Sequence, residues 1–118
     1  MIDTNSLRQA RQRGVLLAAK TFNLSKHLPP EQARLAAQLR RSCRVSCATL
    51  AGAGAYREDK AQFLGRLGIS FGEAVEAKYW LLYAKERRHL SQDQIQPALL
   101  DFDMLFMLMS TVVRRAGM

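Results

Sequence analysis

Three prolines, seven glycines and two cysteines are all that punctuate 118 residues, and only 10 acidic side chains stand against 18 lysines and arginines. Each scarcity excludes something. The many turns of a β-sandwich or barrel need more proline and glycine, so the composition favours helices. A secreted disulfide scaffold of this size usually carries more cysteine. Cys43 and Cys47 lie four apart in a segment of helical pattern and are expected as reduced, small apolar residues. No apolar run approaches the roughly 18 residues of a membrane span, and the nearest, Ala98 to Val113, is interrupted by Asp101 and Asp103. Met1 to Arg13 is charged, with no apolar segment and cleavage site behind it, so no secretory signal is expected. A cytoplasmic location without a membrane partner follows by default. With 48% hydrophobic and 24% charged residues, the chain is also far from the composition of a disordered protein.

What is present is a repeated helical pattern within a length that suits one domain, residues 1–118. Pro29-Pro30, Gly52-Ala53-Gly54 and Arg87 to Ser91 are the convincing breaks, and they divide the chain into four helices near 6–27, 30–51, 57–88 and 92–115. An all-α, antiparallel up-down four-helix bundle is the expected fold. In the first helix Leu7, Ala10, Gly14, Ala18, Phe22 and Ser25 share a face, widened by Val15 and Leu17, and this face is expected in the core. The second has a narrow stripe of Leu35, Leu39, Ser42, Cys43, Ser46 and Leu50, small enough for a neighbouring helix to approach closely. Phe63, Leu67, Ser70, Phe71, Ala74 and Leu81 form the main stripe of the third. Ser91-Gln92-Asp93-Gln94 has the form of a capping box and starts the fourth, although Pro97 fits poorly so close behind it. There Leu99, Phe102, Leu105, Phe106, Met109 and Val113 form the core stripe.

Helices three and four carry more apolar surface than one bundle can bury. Ile69, Tyr79, Trp80 and Tyr83 lie nearly opposite the core stripe of helix three, with Gly65, Gly68 and Gly72 on the same side, where close approach of another backbone would explain them. Met104, Met107, Leu108 and Val112 fill much of the remaining circumference of helix four. Contact with other copies of the chain is therefore expected through Gly65, Ile69, Gly72, Trp80, Tyr83, Met104, Met107 and Leu108.

The formal charge of +8 is unevenly placed. Up to Arg57 there are ten basic residues (Arg8, Arg11, Arg13, Lys20, Lys26, Arg34, Arg40, Arg41, Arg44 and Arg57) against two acids, Asp3 and Glu31; residues 58–118 hold eight of each. On helix two Arg34, Arg40, Arg41 and Arg44 occupy the arc opposite the core stripe. A solvated helix face also looks basic, but it normally intersperses acids one turn away, and helix two has only Glu31 near its start. Planar guanidinium forks on a rigid helix suit phosphate oxygens and would follow a nucleic-acid backbone without reading bases. Contacts to RNA or DNA are expected from Arg13, Lys20, Arg34, Arg40, Arg41, Arg44 and Arg57. Lys85, Arg87, Arg88 and His89 form a second basic cluster, where cations also offset the helix dipole.

No catalytic apparatus is visible. His27 and His89 lie at predicted helix ends with no partner at metal-ligand spacing, and Cys43 with Cys47 supplies too few ligands for a metal site. Glu73 with Glu76, and Asp101 with Asp103, lack the Glu-x-x-His partner of a di-iron bundle. Gly52-Ala53-Gly54 lacks the lysine and spacing of a phosphate loop. The expectation is a protein with no enzymatic activity, metal or cofactor.

Leu28-Pro29-Pro30-Glu31, Leu35 and Gln38-Leu39-Arg40-Arg41-Ser42-Cys43 resemble the "FPkeE, gL, QirRAa" stretch of bacterial four-helix-bundle proteins found in intervening sequences of the 23S ribosomal RNA gene. Phe63, Leu67, Ile69-Ser70, Gly72, Glu76, Leu81, Ala84 and Leu90-Ser91 continue the likeness without a gap, so it covers most of the chain. Where that family reads N-I-A-E-G this chain has Thr49-Leu50-Ala51-Gly52-Ala53; its G-S is Gly72-Glu73 and its L-G-Y turn is Arg87-Arg88-His89. A role tied to that Asn and Glu is not carried over. The resemblance implies a homo-oligomer, typically a five-fold ring. It extends to the accessory variability proteins of diversity-generating retroelements, basic pentamers that bind nucleic acid and a reverse transcriptase. The resemblance thus implies RNA or DNA and the chain itself as partners. A scaffold role beside a reverse transcriptase is the alternative.

Overall fold

Three of the four helices begin where a short polar side chain holds a free N–H group of the first turn. In the computed structural model, which describes residues 2–117, Asp3 accepts from the Ser6 backbone N–H and opens α1, Thr4–Ser25. Asp59 does the same for Gln62 at the start of α3, Lys60–Glu86. Ser91 opens α4, Gln92–Arg115, through the expected capping box: its hydroxyl accepts from the Gln94 N–H at 3.1 Å and the Gln94 side chain accepts from the Ser91 N–H at 2.8 Å. Such a cap contributes about 1 kcal/mol. Only α2, Ala33–Ala53, has no side-chain cap. Pro29-Pro30 sends the chain instead through a 3-10 turn, Pro30–Gln32, so α2 starts three residues later than the sequence suggests. A second 3-10 turn, Gly54–Tyr56, leads away from its end, and α3 starts at Lys60 rather than near 57.

The described residues form four α-helices and no strand. Cross-helix pairs show that neighbours run antiparallel. Arg40 meets Ser25 while Gly54 lies beside Leu7; Ser46 meets Ser70 while Arg41 meets Glu73; Lys78 meets Asp103 while Phe71 meets Phe106; Arg13 meets Asp101 while Asp3 meets Arg115. The result is an up-down bundle measuring 46 × 22 × 19 Å, in which α4 closes back on α1.

Phe63, Phe102, Leu39, Leu50, Leu67, Leu81, Ile95, Leu105 and Val112 are the large side chains buried at its centre. The small-residue stripe of α2 brings α3 close enough for a reciprocal pair: Ser46 Oγ donates to the Ser70 carbonyl at 2.9 Å, and Ser70 Oγ donates to the Ser46 carbonyl at 2.8 Å. Both hydroxyls are thereby satisfied away from water.

Four core assignments move. Phe22 and Val15, expected inside, are exposed because the seam between α1 and α2 closes on Ala10, Gly14 and Leu17. Phe71 is 42% exposed, beside an open groove between α3 and α4. Val112, placed by the sequence on the outer side of α4, is fully buried, because the face of α4 toward α1 is part of the core. Pro97 lies inside α4, on its exposed side, where the Asp93 carbonyl left without a donor can reach water. By length and average apolarity α4 could cross a membrane, contrary to the expectation from Asp101 and Asp103. In the bundle its inner face is core, and Asp101 is buried against two cations of α1.

Candidate nucleic-acid interface

The ten basic residues of the first half divide into two populations. Arg13 and Lys20, two turns apart on the α4 side of α1, converge on one carboxylate: Arg13 donates to Asp101 Oδ1 at 2.9 Å and Lys20 donates to Oδ2. Both bind a partner 88 and 81 positions away in the chain, which spacing alone could not reveal. Arg41 reaches Glu73 of α3 at 3.4 Å, leaving its side chain 57% exposed. These three meet acids; the other seven have no ion-pair partner among the described residues.

Those seven cover α1, α2 and the turn that follows. Arg34 and Arg44 are exposed on the outer arc of α2. Arg40 departs from that arc: it turns toward α1, donates through Nε to Ser25 Oγ at 2.6 Å and lies 4.7 Å from the centre of the Phe22 ring. Lys26 lies 4.8 Å from the same ring. Periodicity places Phe22 in the core, so sequence reasoning misses this exposed phenyl ring flanked by two cations. Arg57 is held by Nε donation to the Gly54 carbonyl at 3.0 Å, and Arg11 also approaches Gly54, so both guanidinium groups gather at the C-terminal end of α2. That end carries partial negative charge, which favours them. Arg8 donates to Asn5 near the start of α1.

Of the two acids in this half, Asp3 is already engaged. Hydrogen bonds from the Ser6 backbone and hydroxyl hold its carboxyl below the ordinary range against the opposing cost of desolvation, and the Arg115 guanidinium adds a lesser share. The α1–α2 surface therefore presents cations with almost no carboxylate to neutralise them. Such a surface attracts polyanions, and its strength falls with added salt.

Residues expected at contacts between copies separate into three groups. Ile69 and Tyr83 are exposed on the outer face of α3, and Gly65, Gly68 and Gly72 have open space where a Cβ would project. No backbone of the described residues makes the close approach that these glycines suggest. Met104 and Met107, with Leu100, form an exposed apolar strip on α4. Trp80 and Leu108 are half-buried against the core.

No group of three or more His, Cys, Asp or Glu side chains stands together among the described residues. Burial pushes the Cys43 thiol up to about 11 and raises Cys47 as well, so neither is a ready thiolate. Where α3 ends, Arg88 takes φ 63°, and the His89 N–H closes on the Ala84 carbonyl at 2.8 Å. This is the left-handed position that favours glycine.

Residues 8–110 match the profile of the 23S rRNA-intervening sequence proteins. No curated protein gives a significant match. Among solved structures, a protein of unknown function from the S23 ribosomal protein family of Bacteroides thetaiotaomicron superposes with a TM-score of 0.83 at 22% identity. The alignment covers 92% of this chain and 98% of that one. At that identity the likeness is one of fold.

Proposed function

This chain belongs to the 23S rRNA-intervening sequence protein family, and we propose that it acts there without catalysis, as a basic four-helix bundle that binds RNA or DNA through backbone phosphates. The observation that carries this reading is the state of Arg34 and Arg44. Both stand exposed on the outer arc of α2, and neither has an ion-pair partner among the described residues. Arg41, between them, holds Glu73 only at long range and remains available. Arg40 and Arg57 border the arc and contribute charge. Arg13 and Lys20 are occupied by Asp101 and serve the fold first.

A phosphate-directed surface of this kind holds its ligand by counterion release, not by base contacts. Binding should therefore tolerate changes of sequence. Repeating the arc in an assembly of copies would raise avidity. The exposed strip Leu100, Met104 and Met107 on α4 is the surface we assign to contact between copies, in keeping with the five-fold ring implied by the resemblance.

Charge reversal tests the first part. Arg34→Glu with Arg44→Glu should leave helicity and melting unchanged and sharply weaken retention of an RNA or DNA duplex. Retention equal to that of the parent protein overturns the reading. Met104→Lys with Met107→Lys tests the second: sedimentation should report a smaller species than the parent, and an unchanged species removes α4 from the contact.

A further inference from the structure

The outer face of α3 has the opposite character to that of α2. A shallow depression of about 580 Å³ is lined by Glu76, Tyr79, Trp80, Leu82, Tyr83 and Glu86. Two carboxylates, three aromatic rings and a leucine meet there without a cation. Trp80 and Tyr83 pack edge to face, with centroids 5.8 Å apart, and Trp80 Nε1 donates to Glu76 Oε1 at 3.3 Å, which fixes that carboxylate at the rim. Neither Glu76 nor Glu86 has an ion-pair partner among the described residues. Tyr79 is 64% exposed and Tyr83 46%. Arg87 and Arg88 follow only at the end of the helix, and the cations Lys78 and Lys85 lie on the side of α3 that faces α4.

We propose that this depression receives an arginine-bearing segment of a basic protein partner, the guanidinium stacking on Tyr83 or Trp80 while Glu76 and Glu86 accept its N–H groups. Aromatic faces attract cations through their quadrupole, and the neighbouring carboxylates supply acceptors in reach of the same group. Arginine suits such a site better than lysine, because its planar fork can stack and donate together. The charge of the whole molecule sharpens the argument. At +8 the protein repels a basic peptide at long range, so association must come from a local site. The surface is separate from the arginines of α2, and a polyanion on one face leaves the other free.

Trp80 is the single tryptophan, so its emission reports the site directly. Titration of the intact protein with a nona-arginine peptide should change that emission saturably, and nona-lysine should bind about threefold more weakly. Glu76→Gln with Glu86→Gln, both at exposed positions, should weaken nona-arginine about tenfold. Tyr83→Leu should weaken it less, and Arg34→Glu with Arg44→Glu should not weaken it at all. An emission that does not respond, or equal affinity in the double glutamine variant, overturns the proposal. So does emission that changes with protein concentration alone and stops doing so in that variant, which would give the depression to a second copy of the chain.

Discussion

The halves of this bundle use their charges differently. In α3 and α4 the acids and bases are equal in number, and among the described residues one ion pair, Lys78 with Asp103, forms within the half while Arg115 crosses to Asp3. Up to Arg57 three of ten cations meet an acid, and each of those acids, Asp101 twice and Glu73 once, comes from the other half. The basic half is thus neutralised only along its seams. A fold that needed merely to be stable and soluble would gain from placing acids on the outer arc of α2, one turn from each arginine. Their absence makes the excess a surface property aimed outward, while the seams keep the bundle closed.

The largest effect should come from reversing the unpaired cations. Arg34→Glu with Arg44→Glu should reduce affinity for a nucleic-acid duplex about a hundredfold near 0.1 M salt, roughly tenfold for each arginine that no longer meets a phosphate. Reversal of Lys85 and Arg87, in the neutral half, should change it less than the α2 pair does. Equal effects in the two halves would break the comparison, and fluorescence anisotropy on both variants measures it.

Asp101→Ala should act in two directions at once. Removing the carboxylate leaves Arg13 and Lys20 without their acceptor, so thermal denaturation should show a loss of about 1–2 kcal/mol. The same change frees two cations, so nucleic-acid affinity should rise a few-fold. A seam residue that lowered both would show that these cations contact the ligand through a geometry fixed by Asp101.

A glycine at position 88 should stabilise the bundle by about 0.5–1 kcal/mol, since Arg88 occupies φ 63°. Equilibrium unfolding of Arg88→Gly checks this. The resembling family places glycine in that turn, so the arginine here is a departure that carries a conformational cost.

The smallest effect concerns acid. The Asp3 carboxyl is held below its ordinary range in the folded chain, so its stabilising contribution is present above the unfolded carboxylate range and is lost as pH falls through the lower folded value. Circular dichroism between pH 5 and 2 should show an acid-dependent loss that Asp3→Asn reduces.

Much of the fold can be read directly from the residues. All six stripe residues of α2 are buried, and the capping box at Ser91 and Gln94 forms as its spacing suggests. Periodicity gives an angle about one helix axis, but it does not say where the neighbouring helices stand. Phe22 and Phe71 lie at the margins of their stripes and fall outside the seams, whereas Val112 falls inside one. The basic excess is visible as a count, but its division into seam and surface is not, because Asp101 and Glu73 reach their partners only after folding. The aromatic depression on α3 is legible as an unburied stripe, while the two carboxylates that give it a sign emerge only from the structure.

The dependence of nucleic-acid affinity on salt tests the central claim most directly. The dissociation constant of the parent protein for one RNA and one DNA duplex of unrelated sequence should be followed from low to moderate salt. If the arginines of α2 and their neighbours bind phosphates, log affinity should fall linearly with log salt at a slope of about three to five for either duplex, and Arg34→Glu with Arg44→Glu should lower that slope by about two. A slope near zero, or one that the double reversal leaves unchanged, would contradict the account.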